Sequence, residues 1–305
     1  VATVTSLERA VEKDTVAFLA THEAYRQHLR PVAAAVAADR TTSWLESAKL
    51  IDEVDAAVWV TASWRDFDRV KDRGRCVVTE HGTGLQWYPH TQLAKFADAA
   101  LIAAPNEFVA QRWRAGCPDT RVEIVGTPKM DELVKVPDRR DGTIAVSFHW
   151  SGRGTIPPLY RAALGELAAN RKVLGHAHPR SFDSLVGYFT DLGIEPVREF
   201  EEVVARASTY VCDHSSTIYE WAALDRPVVI LKRPTRMLAN LTGLRYTDHA
   251  DVGPTADPST LCGLASEADQ QRAGYAAQRQ AATRELYPFL RHSTERFVNL
   301  IGELG

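Results

Sequence analysis

From residue 15 to residue 231 the chain alternates short apolar, β-branched runs with amphipathic stretches of helical length, and no other feature constrains the fold as tightly. Parallel strands cannot be joined by a tight turn; each pair needs a crossover of about a dozen residues or more, and a helix supplies it. Such sheets are covered on both faces, so their strands read as nearly continuous apolar runs. In the first half those runs are Thr15–Thr21, Ala56–Thr61, Cys76–Glu80, Ala99–Ala104 and Val122–Val125, spaced by helical stretches such as Tyr25–Ala38 and Glu107–Ala115. The pattern breaks from Val134 to Gly142, where Pro137, Arg139, Arg140, Asp141 and Gly142 make a polar linker. It restarts with strands Thr143–Phe148, Lys172–His176, Thr209–Cys212 and Pro227–Leu231 and helices Pro158–Ala169, Phe182–Leu192, Phe200–Ala207 and Thr217–Leu224. One helix is expected from Leu264 to Arg284 and another over Ser293–Leu304.

The expected fold is therefore α/β, with two Rossmann-like domains facing each other across a cleft. A length of 305 residues fits two domains of roughly 100–200 residues each. The expected division is 1–135 for an N-terminal Rossmann-like domain and 143–285 for a C-terminal one, with 286–305 a C-terminal helix packing back on the first. A net charge of −3 provides no general footprint for nucleic acid, leaving a nucleic-acid acceptor without electrostatic support. No run reaches the roughly 18 apolar residues of a membrane helix, and no basic-then-apolar leader opens the sequence. A cytoplasmic location is expected, with peripheral membrane contact through Trp64, Trp87, Tyr88 or Trp113 as an alternative to their burial in the core. Cys76, Cys117, Cys212 and Cys262 are far apart without CxxC spacing and read as thiols.

In open α/β sheets ligands bind beyond the carboxyl ends of the strands, so functional residues should follow strands directly. Three segments fit. His81 ends an apolar strand and is followed by Gly82, Thr83 and Gly84, where glycine allows close substrate approach and histidine titrates near neutrality, as a general base must. A satisfied histidine in a tight turn is the plainer alternative. His176-Ala177-His178-Pro179-Arg180 points His178 into the cleft and gives Arg180 a fork of donors for phosphate. Two histidines two apart could also hold a metal, but no third ligand lies near. Asp213-His214-Ser215-Ser216-Thr217 carries a buried strand into a helix whose N-terminal hydroxyls and N–H groups favour phosphate, with Glu220 one turn further on to meet ribose hydroxyls. An ordinary helix cap explains the same residues. Ser215, His178 and Asp213 could form a hydrolase triad on paper, but the GxSxG elbow is absent.

The order of these motifs resembles the CDP-glycerol glycerophosphotransferases of teichoic-acid and capsule synthesis, of the GT-B glycosyltransferase-like superfamily. His81-Gly82-Thr83 looks like that family's His-Gly-Thr, and Gly126-Thr127-Pro128-Lys129-Met130-Asp131 looks like its Gly-x-Pro-(Arg)-x-Asp. His149-Trp150 with Arg153 stands for its Thr-Trp-Arg, and His178-Pro179 for its His-Pro. Asp213 to Glu220 resembles Asp-Tyr-Ser-Ser-x-x-Phe-Asp, Arg226-Pro227-Val228-Val229 its Lys/Arg-Pro-Ile-Ile, and His292 to Arg296 its Gly-x-Ser-x-Glu-Arg. The likeness covers roughly residues 76–300.

The resemblance implies a nucleotide-activated donor as substrate, a hydroxyl acceptor that is lipid-linked or polymeric, and neither cofactor nor metal. His81 would be the base and His178 would stabilise the donor diphosphate. Gly82, Thr83, Trp150, Arg153, Arg180, Asp213, Ser215, Ser216, Thr217 and Glu220 would bind the donor, while Gly126, Pro128 and Asp131 would be interdomain or structural. The implied reaction moves glycerophosphate from CDP-glycerol and releases CMP. The alternatives are a glycosyltransferase using a nucleotide sugar on a glycan, lipid-linked or modified-nucleobase acceptor, and a UDP-sugar 2-epimerase. Gly84, Gln86, His214 and Lys129 stand where that family has Pro, Lys, Tyr and Arg, and residues 1–75 are idiosyncratic, which implies retained donor chemistry and a different acceptor.

Overall fold

The computed structural model describes residues 15–80, 93–149, 156–233, 251–268, 270 and 272–304. The first sheet is built from β1 (Val16–Leu19), β2 (Thr42–Leu45), β3 (Val58–Thr61), β4 (Arg75–Thr79), β5 (Leu101–Ala104) and β6 (Val122–Ile124). All six strands are parallel, in the order β2-β1-β3-β4-β5-β6. The second is equally parallel, ordered β12-β11-β10-β7-β8-β9. Its strands are β7 (Thr143–Phe148), β8 (Val173–Ala177), β9 (Glu195–Pro196), β10 (Ala207–Cys212), β11 (Val228–Leu231) and β12 (Thr255–Ala256). This is the two-domain, Rossmann-like α/β architecture expected from the alternation.

The described helices are α1 (Glu23–Val36), α2 (Trp64–Val70), α3 (Glu107–Gly116), α4 (Pro128–Leu133), α5 (Ile156–Asn170), α6 (Pro179–Asp191), α7 (Phe200–Arg206), α8 (Thr217–Ala223), α9 (Leu261–Glu267), α10 (Ala276–Leu286) and α11 (Ser293–Gly302). Several starts are written in the sequence. Ser63 and Asn106 accept the N–H groups of Asp66 and Val109 as N-caps of α2 and α3, and Pro128 and Pro179 open α4 and α6, where a missing N–H costs nothing.

β1, β3 and β5 are buried along their whole length, and apolar side chains cover both faces of each sheet. On one face of the first sheet, Leu29, Val32 and Val36 of α1 share a core with Phe297, Leu300 and Ile301 of α11. Each such burial contributes about 1.5–3 kcal/mol, so the last described helix is an integral part of the first domain's core. Residues 134–142 hold no helix or strand and join the two sheets.

The single helix expected over Leu264–Arg284 is broken into α9, a 3-10 turn at Arg272–Tyr275, and α10. Gly274 weakens the helix there. Arg279 is also drawn inward, wholly buried, to bond Asp225 Oδ1 at 2.9 Å and the Arg272 carbonyl at 2.9 Å.

Candidate active site at the facing strand ends

Each sheet has one point where successive connections leave in opposite directions. In the first it lies between β1 and β3, in the second between β7 and β10. Loops diverge there and leave a crevice beyond the carboxyl ends of the strands.

At the second crevice β7 delivers His149, β8 delivers His178, and β10 delivers Asp213 and His214. Asp213 is fully buried. Its Oδ1 accepts the His149 backbone N–H at 2.8 Å, and its Oδ2 lies 3.2 Å from His214 Nδ1. The carboxylate thus brackets two strand ends. The His149 ring centroid is 4.4 Å from that of His214 and 5.6 Å from that of His178, both edge-on. Burial pushes His149 down to about 3, helped by His214 and opposed by Asp213. Burial, then Arg180, His22 and Lys129, takes His178 to about 4. His176, bonded to Ser147 Oγ at 2.8 Å, is lowered to about 3 for the same first reason. These imidazoles are neutral at neutral pH, so positive charge for a phosphate falls to arginine. Arg180 is exposed at the start of α6, and Arg233, two residues beyond β11, is close enough to His149 to depress its pKa. A bound diphosphate would favour protonation of His178 in turn.

The serine-rich turn divides its labour. Thr217 is turned toward the sheet, its Oγ1 2.8 Å from Tyr210 Oη, and Ser215 Oγ accepts the Thr217 N–H at 3.4 Å. Ser216, at the N-cap of α8, makes no side-chain cap hydrogen bond. Glu220 is not presented to a ribose: it is buried and accepts Lys129 Nζ at 2.7 Å, with the ammonium 5.1 Å from the Phe200 ring centroid.

The Gly126–Asp131 motif fastens the last helix. Gly126 has φ +85, and a Cβ there would strike Ser293 Oγ. Ser293 Oγ accepts the Thr127 N–H at 3.0 Å, and Asp131 Oδ2 accepts the Thr294 N–H at 2.7 Å at the start of α11. Pro128 begins α4 and Lys129 follows it, so one short turn ties α11 and α8 to the end of the first sheet.

On the first-sheet side, Asp66 is fully buried and accepts from both Thr21 N (3.3 Å) and Thr21 Oγ1 (2.7 Å). That fixes the loop after β1, and the next residue, His22, accepts Arg180 Nε at 3.3 Å across the cleft. Glu80, just past β4, is buried and held by Arg112 Nη2 at 2.7 Å and Trp113 Nε1 at 3.1 Å. Burial raises its pKa and Arg112 opposes the rise. His81, Gly82, Thr83, Trp150 and Arg153 lie outside the described residues.

The structure thus brings His178, Arg180 and Asp213 to one crevice, with Ser216 at the helix start three residues after Asp213, and adds His22, His149 and Arg233, which the motif reading did not name as site residues. Position after a strand was the signal all three carried, joined for His149 by its place in the His149-Trp150 match. Among the described residues no helix is long and apolar enough to cross a membrane.

Two Rossmann-type domains with facing crevices define the GT-B fold, and the chain has it. The wall teichoic acid polymerase TagF is similar, with a TM-score of 0.71 at 14% identity over 95% of this chain and 88% of that one. A variant of TagF soaked with CDPG gives 0.70 at 13% identity over 96% and 89%. The UDP-GlcNAc 2-epimerase from Neisseria meningitidis bound to UDP-GlcNAc gives 0.60 at 11% identity over 95% and 100%. Identity this low speaks for shared fold. The sequence matches no protein-family model and no curated protein.

Proposed function

We propose that this protein is an enzyme, a transferase that takes its group from a nucleotide-diphosphate donor, with glycerophosphate from CDP-glycerol the leading choice. The observation that carries this reading is the cluster of His149, His178, Arg180 and the Asp213–His214 bracket at the second sheet's crevice, faced by His22 of the first. Arg180, Arg233 and Ser216 meet the diphosphate, supplying preorganised charge and hydrogen bonds where charge develops, so the donor is a substrate and no metal cofactor is called for. An acceptor hydroxyl attacks the β-phosphorus, the bond to the CMP oxygen breaks, and CMP leaves with that electron pair. A base on the first-sheet wall takes the hydroxyl proton, a role the sequence resemblance gives to His81.

A glycosyltransferase reading has its own support in His214, which replaces the tyrosine of the resembled signature inside the donor crevice. The UDP-GlcNAc-bound epimerase of like fold keeps a 2-epimerase as a further alternative. Thermal-shift measurements with CMP, CDP, CDP-glycerol and UDP-, GDP- and dTDP-sugars separate them, since a ligand of the folded state alone raises Tm. Stabilisation by the cytidine ligands, weakened by Ser216→Ala, is the expected outcome. A response confined to nucleotide sugars would replace glycerophosphotransfer with one of the other two activities.

A further inference from the structure

His22 occupies the first sheet's topological switch point. β1 and β3 are neighbours whose connections diverge, and the loops that leave them are clamped together: Ser63 caps Asp66, and Asp66 holds Thr21 by both backbone and hydroxyl. The residue so presented is a histidine tilted against Tyr25, ring centroids 5.4 Å apart. It is half-buried and directly opposite Arg180, assigned above to the donor diphosphate. Arg180 Nε can only donate, so His22 Nε2 carries a lone pair and the ring is the neutral tautomer protonated on Nδ1. The end of β4, which leads to His81, lies two strand spacings away, roughly 10 Å.

We propose that His22 is a catalytic residue of this reaction, the group whose Nε2 removes the proton from the attacking acceptor hydroxyl. The inference rests on the transferase reading above. In the structure the Nε2 lone pair accepts from Arg180. When a donor diphosphate binds, it draws the guanidinium to itself and leaves that lone pair facing the incoming hydroxyl. The acceptor O–H proton moves to Nε2, the oxygen forms its bond to the donor's electrophilic centre, and the bond to the nucleotide breaks with its electron pair leaving on the nucleotide. Burial first, then Arg180, keeps the His22 pKa below the usual histidine value; Arg26 acts in the same sense, and Glu23 and Asp66 oppose it. Neutralising Arg180 with phosphate removes one of those depressing charges, so the base strengthens when the donor is in place.

The test needs no identified acceptor, because water can serve: release of CMP from CDP-glycerol and of UDP from UDP-GlcNAc is followed for wild type, His22→Asn, His22→Gln and His81→Asn. Each protein's urea midpoint and donor-induced Tm shift are recorded alongside. The expected result is a kcat lowered by roughly 10²–10⁴-fold in both His22 variants, with urea midpoint and donor shift retained and the acidic limb of the kcat profile lost. Imidazole added to His22→Ala restores part of the rate. A His22→Asn kcat within about threefold of wild type, with His81→Asn inactive, overturns the assignment and leaves the transferase reading standing. Loss of the donor shift along with kcat makes His22 a brace for the donor site and overturns it equally. A wild-type protein that neither binds nor cleaves any nucleotide donor refutes the transferase reading itself, and the base with it.

Discussion

Consider Lys129→Met. The Lys129–Glu220 pair is 8% and 2% exposed by side chain, its Nζ–Oε2 distance is 2.7 Å, and Phe200 lies under the ammonium. Removing the ammonium leaves a carboxylate buried without its counter-charge, which costs about 3–5 kcal/mol, whereas replacing both partners by apolar groups of similar volume is close to neutral. Lys129→Met and Glu220→Gln should each lower the urea midpoint in proportion to their cost, with a Tm fall of roughly 6–15 °C for the methionine variant. Lys129→Met/Glu220→Leu should return to within about 1 kcal/mol of wild type, and Lys129→Arg/Glu220→Asp should also recover, since one side chain lengthens as the other shortens. Urea unfolding of wild type, Lys129→Met, Glu220→Leu and Lys129→Met/Glu220→Leu closes the cycle. A Lys129→Met cost under about 1 kcal/mol, or a double variant as unstable as the sum of its singles, would refute a buried, coupled pair.

Gly126→Ala adds a Cβ at φ +85 against Ser293 Oγ and should cost roughly 2–4 kcal/mol, part of it recovered by Ser293→Gly, as read by thermal unfolding. Stability should also depend on pH through the buried histidines. His149 and His176 at about 3 and His178 at about 4 are depressed below the ordinary value near 6.5, so their contribution is fully present above pH 6.5 and is lost as pH falls toward 4 and 3. Tm scans of the unliganded protein should fall across that window, and His176→Asn should flatten the slope; a flat wild-type profile would contradict burial of neutral rings.

Much of the fold was legible because buried parallel strands read as predominantly apolar runs, and β1, β3, β4, β5, β7, β8, β10 and β11 do. The strands that escaped are short or lie at an edge. β2 reads Thr-Ser-Trp-Leu with partial exposure, and β9 and β12 have two residues each, too few for any periodicity. The site was legible where chemistry sits next to a strand end, as at His178 and Asp213. It was not legible where two distant positions complete each other. Lys129 read as a departure from the resembled family's Arg, and Glu220, 91 residues away, as the counterpart of its Asp. The structure shows them to be the two ends of one contact, a pairing that neither motif announces by itself.

The place of α11 has a consequence for the order in which the molecule assembles. Phe297, Leu300 and Ile301 complete the core around β1 and β3, and Ser293 and Thr294 bond the turn after β6. The second sheet, by contrast, is contiguous from Thr143 to Ala256. During synthesis, where N-terminal domains ordinarily fold first, this chain should reverse the sequence. The second domain closes once α9 and α10, which cover its sheet, have emerged, while the first waits, with one sheet face covered only by α1, until the chain has passed residue 301. A fragment stopped near Leu286 should therefore hold a folded second half tethered to an aggregation-prone first.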